Sequence, residues 1–277
     1  MRHNLLNYHK SLTGFTLVEL LVVIAVIGLL SAIVLVALTG PREKARITGI
    51  LDFEAQVNHY LGAEARGVWN FDDCTARDLS GYGNEGAING ATACSSDTPH
   101  AVAGQGNGKN SMRFTAGGDD ISMSPGPVIA GNQITMSLWV YPQAGNYAAI
   151  VSKYVYGLEY NPGCGGTCLR FQIYNGSEVQ LDSVANTIAV NAWSHVAGVY
   201  DGADMRIYVN GNQVATRPAT GNIIDGWNLM MGRSPVNANQ FAGFIDEVRV
   251  YSQALTQTEI QKHYADGLEK RKNLAQK

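Results

Sequence analysis

Glu19 is the first residue in this chain whose surroundings call for a chemical partner. It lies in GFTLVELL (Gly14–Leu21) and is the only charge among the 24 residues from Phe15 to Leu38. A carboxylate in an apolar helix needs a counter-charge, because an unpaired ion in a low-dielectric setting is expensive. The run itself supplies no base, so the cation must come from elsewhere. Four cysteines, Cys74, Cys94, Cys164 and Cys168, offer a second chemistry. An even count in glycine-rich loop sequence suits disulfides made in an oxidising compartment. Zinc is the competing use of thiolates, but there is no Cys-x-x-Cys pair and no histidine at ligand spacing nearby. Four cysteines permit three connectivities, and Cys74–Cys94 with Cys164–Cys168 is the expected one.

Acids and histidines for catalysis are present, but in unpromising places. Asp119-Asp120, Asp201 with Asp204, and Glu159 all sit beside glycine or turn residues, where carboxylates usually serve turns. His100 and His195 are isolated and read as structural. Gly81-Tyr-Gly83-Asn-Glu-Gly86 fits G-x-G-x-x-G but lacks the strand-turn-helix setting that a dinucleotide site needs, so these are turn glycines. No H-E-x-x-H, P-loop or nucleophile elbow occurs. The expectation is a protein that is not an enzyme.

The elements around these residues divide the chain. As a helix, Phe15–Leu38 would extend about 36 Å, enough to cross a bilayer core of about 30 Å. Arg2 and Lys10 precede it and would hold that end on the cytoplasmic side. Ile47, Ile50, Leu51, Val57 and Leu61 then recur at helical spacing up to Arg66, giving an amphipathic continuation. Past Gly67 the period changes. ITMSLWVYP, LRFQIYNG, WSHVAGVYDG, MRIYVNGNQVA and FIDEVRVY read as strands separated by glycine, asparagine and aspartate. Asn210-Gly211 marks a two-residue hairpin turn. Only Thr256–Asp266 reads as a helix, opened by the capping box Thr256-x-x-Glu259. The fold class expected is a long N-terminal helix followed by an all-β jelly-roll sandwich with a short C-terminal helix. The divisions are 1–14 leader, 15–40 apolar helix, 41–66 continuation, 67–267 β domain and 268–277 basic tail.

Charge and composition agree. Glycine makes up 31 of 277 residues, above the usual share of about 7%, as a protein with many turns requires. The net charge is −3, with +2 in the leader, −1 in the apolar run and +3 after Asp266, leaving −7 on the body between. An acidic body argues against nucleic acid as the main ligand.

Gly14-Phe-Thr-Leu-Val-Glu-Leu-Leu21, after a short basic leader and before VVIAVIGLLSAIVLVAL, resembles the class III signal of type IV pilins and pseudopilins. The resemblance implies cleavage between Gly14 and Phe15 by a prepilin peptidase and methylation of the new Phe15 amine. It also implies that Glu19, fifth after the cut, pairs with that amine on a neighbouring subunit. Other copies of the chain, other pilins and an inner-membrane assembly machinery would be the partners. The protein would lie in the cytoplasmic membrane first and in an extracellular filament afterwards. Many pilins have a helix-bending proline where this chain has Val36. The role implied is a pilus-like filament subunit, with a pseudopilin of a secretion or DNA-uptake system as the alternative.

GVWNFDD, DLSGYGNEG, LWVYP, WSHVAGVYDG, MRIYVNG and GFIDEVRVYSQALTQTEIQKHY, in that order, resemble a laminin-G-like, concanavalin-A-like domain. That implies two sheets with the first and last strands side by side, and a domain of a type that binds carbohydrates or proteins. Asp72 and Asp246 would then be neighbours, with calcium as one answer to their repulsion and Asn84 as a further oxygen. The other answer is backbone N–H groups or a base such as Arg249. Tyr154, Tyr156 and Tyr160, ahead of the cysteine-closed loop, are candidates for a shallow glycan site if they project outward. The alternative is that they are ordinary strand residues shared between core and surface.

Overall fold

The computed structural model describes residues 17–18, 20–27, 65–99, 110–129, 131–236 and 239–274. The chain falls into two compact units, Met1–Tyr60 and Leu61–Lys277. In the first, residues 17, 18 and 20–27 are helical (α1). Leu17, Leu20, Leu21, Ile24 and Ile27 are all exposed there, at 79%, 60%, 56%, 60% and 56%. A helix that is apolar all round finds a place only among lipids or other helices. No helix among the described residues is long and apolar enough to cross a membrane. The remainder of the expected span and the amphipathic continuation as far as residue 64 lie outside the described residues.

The second unit is a sandwich of two antiparallel sheets. One is built from β1 (Ala65–Trp69), β3 (Ala93–Ser95), β4 (Ser111–Thr115), β6 (Ile134–Pro142), β11 (Ser194–Tyr200), β12 (Asp204–Val209), β13 (Asn212–Pro218) and β15 (Ala242–Tyr251). Its order is β13-β12-β11-β6-β15-β4-β3, with β1 also paired to β15. The other has β2 (Ala87–Asn89), β5 (Asp120–Met123), β7 (Ala148–Ser152), β8 (Tyr156–Tyr160), β9 (Leu169–Tyr174), β10 (Glu178–Asp182) and β14 (Leu229–Met231). Its order is β10-β9-β8-β7-β14-β5-β2. Period-2 alternation sends Leu169, Phe171 and Ile173 inward, all fully buried. They join Trp69, Phe114, Tyr156, Tyr200 and Phe241 in one core between the sheets. Asn210 (φ 50°) and Gly211 (φ 78°) both take the left-handed conformation that turns β12 into β13.

β6 and β11 are buried on both faces because the helix α2 (Gln257–Leu274) covers the outer side of the first sheet. Tyr264 lies against Trp139 of β6 (ring centroids 5.7 Å) and His263 against Tyr251 of β15 (5.7 Å). Gly267 lets the helix approach: a Cβ there would come within 2.5 Å of the Trp139 indole. The capping box forms reciprocally, with Thr256 N–H donating to Glu259 Oε2 (2.7 Å) and Glu259 N–H to Thr256 Oγ1 (3.3 Å).

Two boundaries differ from the sequence reading. Ala65 and Arg66 already belong to a strand, with Ala65 paired to Tyr251 of β15, so the helical continuation does not reach Arg66. α2 runs to Leu274 rather than stopping near Asp266, and thus takes in Lys270, Arg271 and Lys272 of the expected tail.

Under α2 lies a buried polar layer. His195 Nε2 and Ser137 Oγ share a hydrogen bond of 2.9 Å. Burial, then the nearby Arg249 charge, pushes the His195 imidazole down to about 3. Burial, Arg249 and His195 hold His263 well below the ordinary value as well. Both rings are neutral in the fold and take up protons near 6.5 when unfolded. The stability they support is therefore complete above about pH 6.5 and falls as pH drops toward the lowered folded values. His195→Gln should flatten the decline in melting temperature between about pH 6.5 and 4. Thermal unfolding across that range checks it, and an unchanged profile would remove His195 as a source of the acid sensitivity.

Candidate functional site

Gly14, Phe15 and Glu19 lie outside the described residues. The other candidates all belong to the β unit. Cys74, in the turn after β1, is joined to Cys94 of β3 (Cα–Cα 5.2 Å), and Cys164 is joined to Cys168 (Cα–Cα 6.5 Å). The first bridge ties the opening loop to the edge of the first sheet, and the second closes the turn between β8 and β9.

Each of the calcium candidates makes local bonds of its own. β1 and β15 do lie side by side. However, Asp246 is 1% exposed, stands opposite Trp139 in β6, and accepts from Glu247 N–H (2.7 Å). Burial works against the Arg249 charge, but Glu247, then Tyr251, then Asp246 raise that guanidinium. Asp72 accepts from Asn70 Nδ2 (3.0 Å), and Asn84 donates its amide to the Arg66 carbonyl (2.7 Å) and to Asp78. Among the described residues no group of three or more His, Cys, Asp or Glu is placed to hold a metal ion. A calcium proposal at these residues thus rests on the resemblance alone. Melting with a chelator and with added calcium tests it: a fall reversed by calcium supports it, and coincident curves reject it.

Asp78, which sequence reasoning passed over, organises this region. Its carboxylate accepts from Val68 N–H (3.0 Å), Ser80 N–H (2.9 Å), Ser80 Oγ (2.8 Å) and Asn84 N–H (2.8 Å). Burial pushes its acidity down in strength, but the bonds from Ser80, Val68 and Asn84 outweigh it and hold its pKa below the ordinary carboxylate value. Gly81 (φ 85°) and Gly83 (φ 74°) let the chain wrap the carboxylate. The loop borders a shallow cavity of about 300 Å³ where the Arg66 guanidinium lies 4.7 Å over the Tyr82 ring.

The remaining acids are also engaged locally. Asp119 accepts from Thr115 and Ala91, Asp201 from Ala203 and Asp204, and Glu159 from the Tyr147 hydroxyl (2.6 Å). Burial leads in raising the Glu159 pKa.

The tyrosine trio needs correction. Tyr156 and Tyr160 are 0% and 1% exposed, because β8 points alternate residues inward. The Tyr156 hydroxyl donates to the Pro127 carbonyl (2.7 Å), and Tyr160 packs edge-on against Phe241. Tyr154 escapes since it sits in the β7–β8 turn with φ 67°, outside the strand register. It is 37% exposed and meets two aromatics not singled out from sequence. Trp227 lies 5.2 Å away, centroid to centroid, and Tyr174 6.1 Å away in a stacked arrangement. The available signal was a tryptophan inside the loop sequence GNIIDGWN.

Residues 115–261 match the concanavalin A-like lectin/glucanases superfamily. The chain belongs to that superfamily. Residues 12–35 match the prokaryotic N-terminal methylation motif, a stretch that includes Gly14, Phe15 and Glu19. The chain is therefore a pilin-like surface subunit with a lectin-like β-sandwich. Adhesion G-protein coupled receptor V1 of Danio rerio is 24% identical over 147 residues, 48% of this chain and 2% of that protein. Pappalysin-1 of Mus musculus is 40% identical over 74 residues, 24% of this chain and 4% of that protein. The chain thus spans only a few per cent of the curated relatives it matches. Domain 4 of the extracellular arabinanase AbnA from Geobacillus stearothermophilus, solved with arabinotriose, is similar at TM-score 0.57 and 20% identity, covering 72% of this chain and 98% of that one. The botulinum neurotoxin serotype D ligand-binding domain, solved with N-acetylneuraminic acid, is similar at TM-score 0.58 and 14% identity, covering 75% and 52%. At these identities the solved structures attest the superfamily fold.

Asp78→Asn in the lectin-like sandwich should lower stability by about 2 kcal/mol near neutral pH, because it turns an acceptor toward donors. A group with a depressed folded pKa stabilises above its unfolded pKa and loses that contribution as pH falls through the folded value. The difference between variant and wild type should accordingly shrink in strong acid. Denaturant unfolding at both conditions measures it.

Proposed function

We propose that this chain is a subunit of a type IV pilus-like filament whose N-terminal helix polymerises and whose β-sandwich is displayed for adhesion to glycans. One observation carries the reading: a methylation motif at 12–35 and a concanavalin A-like domain at 115–261 occur in a single chain. In this reading the peptidase cuts before Phe15, and the freed amine supplies the cation that Glu19 requires. Registering one charge against another on the next chain rewards correct stacking and penalises misplacement. The exposed apolar side chains of α1 support it, since they need a helical or lipid surrounding. Two similar solved domains were captured with saccharides, which favours glycans among the ligands considered. The second reading is a pseudopilin or minor pilin of a type II secretion or DNA-uptake system.

N-terminal mass spectrometry of filament or membrane fractions should find chains starting at methylated Phe15. Glu19→Ala should be inserted and cleaved yet recovered in filaments at a small fraction of the wild-type yield. Wild-type yield from that variant would take the assembly role away from Glu19. Abundant filaments composed mainly of this chain support the pilus reading over the pseudopilin.

A further inference from the structure

We propose that Tyr154, Trp227 and Tyr174 form the binding platform for a neutral oligosaccharide; this rests on the adhesion reading and assigns it a site. Trp227 is 55% exposed and Tyr154 37%, so two aromatic faces stand in solvent next to each other. Tyr174 backs Tyr154 with its ring plane 29° away. Isolated surface aromatics are ordinary, but three rings packed through Tyr154, from two loops and the end of β9, are a built feature.

The backbone supports the same conclusion. Tyr154 (φ 67°) and Trp227 (φ 71°) both occupy the left-handed region, which bulky side chains avoid and which costs about 1–3 kcal/mol unless the surroundings impose it. Lys153 imposes it here. This lysine is fully buried, and its ammonium donates to Asp225 Oδ1 (2.7 Å) and to the Pro127 carbonyl (2.8 Å). An ion pair with one buried partner contributes little net stability compared with an apolar contact, but it fixes geometry. This one ties the residue next to Tyr154 to a residue two positions from Trp227. Ile224 N–H donates to the Tyr174 carbonyl (3.0 Å) and fastens the Trp227 loop to the third aromatic.

The surroundings define the ligand class. Tyr174 and Gln172 alternate with core residues on β9 and so share the outer face of the sheet. On β10, Glu178 stands opposite Tyr174 and Gln180 opposite Gln172. Two exposed rings inclined by 55° and bordered by the Gln180 amide and the Glu178 carboxylate match a sugar ring, which offers an apolar C–H face and a rim of hydroxyls, while Gln172 is buried beneath and donates to the Tyr154 carbonyl. Lys153 and Arg170 are each paired to an aspartate, and Arg217, which donates to the Gln180 carbonyl, balances Glu178, so the rim offers no net positive charge to an anion. That disfavours sialylated or sulfated glycans and favours neutral ones.

Filaments of the full-length protein should be tested on immobilised neutral hexose and pentose oligosaccharides beside sialylated glycans. Wild type should bind neutral sugars, Trp227→Ala and Tyr154→Ala should each bind about tenfold or more weakly, and Trp227→Phe should recover part of the loss. Tyr82→Ala removes an exposed aromatic elsewhere and should bind as wild type. Melting curves matching wild type would show that the variants fold; if Tyr154→Ala does not, Trp227→Ala and Trp227→Phe decide the matter, since Trp227 is more than half exposed. Wild-type binding of neutral sugars that survives both Trp227→Ala and Tyr154→Ala overturns the platform but keeps the adhesion reading. Binding confined to sialylated glycans overturns the neutral assignment. No glycan binding by wild-type filaments overturns the adhesion reading itself.

Discussion

The sandwich depends on how β15 is paired. This ten-residue strand lies between β6 on one edge and β4, then β1, on the other. Its middle is a bulge: register slips between Asp246 and Arg249, and Glu247 takes φ 51°. A bulge re-aims side chains and strengthens twist, and here it brings the Glu247 carboxylate onto the Arg249 guanidinium. Because β15 is nearly the last strand made, the first sheet cannot close until almost the whole domain exists. Pairing Ala65 with Tyr251 is a long-range contact of the kind that slows folding.

The outer face of that sheet is where polar groups are most constrained. Ser137, His195 and Arg249 are covered by α2, and each must find partners within the layer. The helix is held there by aromatic contacts at Trp139 and Tyr251 and by the side chain that Gly267 lacks. A layer that keeps two imidazoles neutral is inherently sensitive to acid, while the apolar core on the inner face is not. The two faces of one sheet thus respond differently to the same change in solvent.

Strands, hairpin and capping box were legible from sequence because each depends on local period or local φ. LRFQIY alternates, Asn210-Gly211 demands positive φ, and Thr256 and Glu259 need only each other. Features set by distant partners were not. Tyr156 and Tyr160 could be placed on one face of a strand, but which face met the opposite sheet was not written in their spacing. Asp78 was overlooked since a turn aspartate ordinarily serves its own turn, whereas this one also collects Val68 from β1. Trp227 was missed for the same reason: its neighbour Tyr154 comes from another loop, and Tyr174 behind that from the end of β9.

In the proposed reading, a shallow aromatic platform and a polymerising helix suit each other energetically. An open site buries one face of a sugar and leaves the rest hydrated, so each contact is weak and quickly reversible. Repetition along a fibre raises the effective concentration of further sites once the first is engaged, and overall affinity grows without a deeper pocket. The demands on each subunit are then modest: the rings must be held at a fixed spacing, which the Lys153–Asp225 pair does from beneath. A deep pocket would instead need loops free to close, and the loops here are tied down. Rigid loops with a small contact area are therefore the economical solution when strength comes from the number of copies rather than from any one of them.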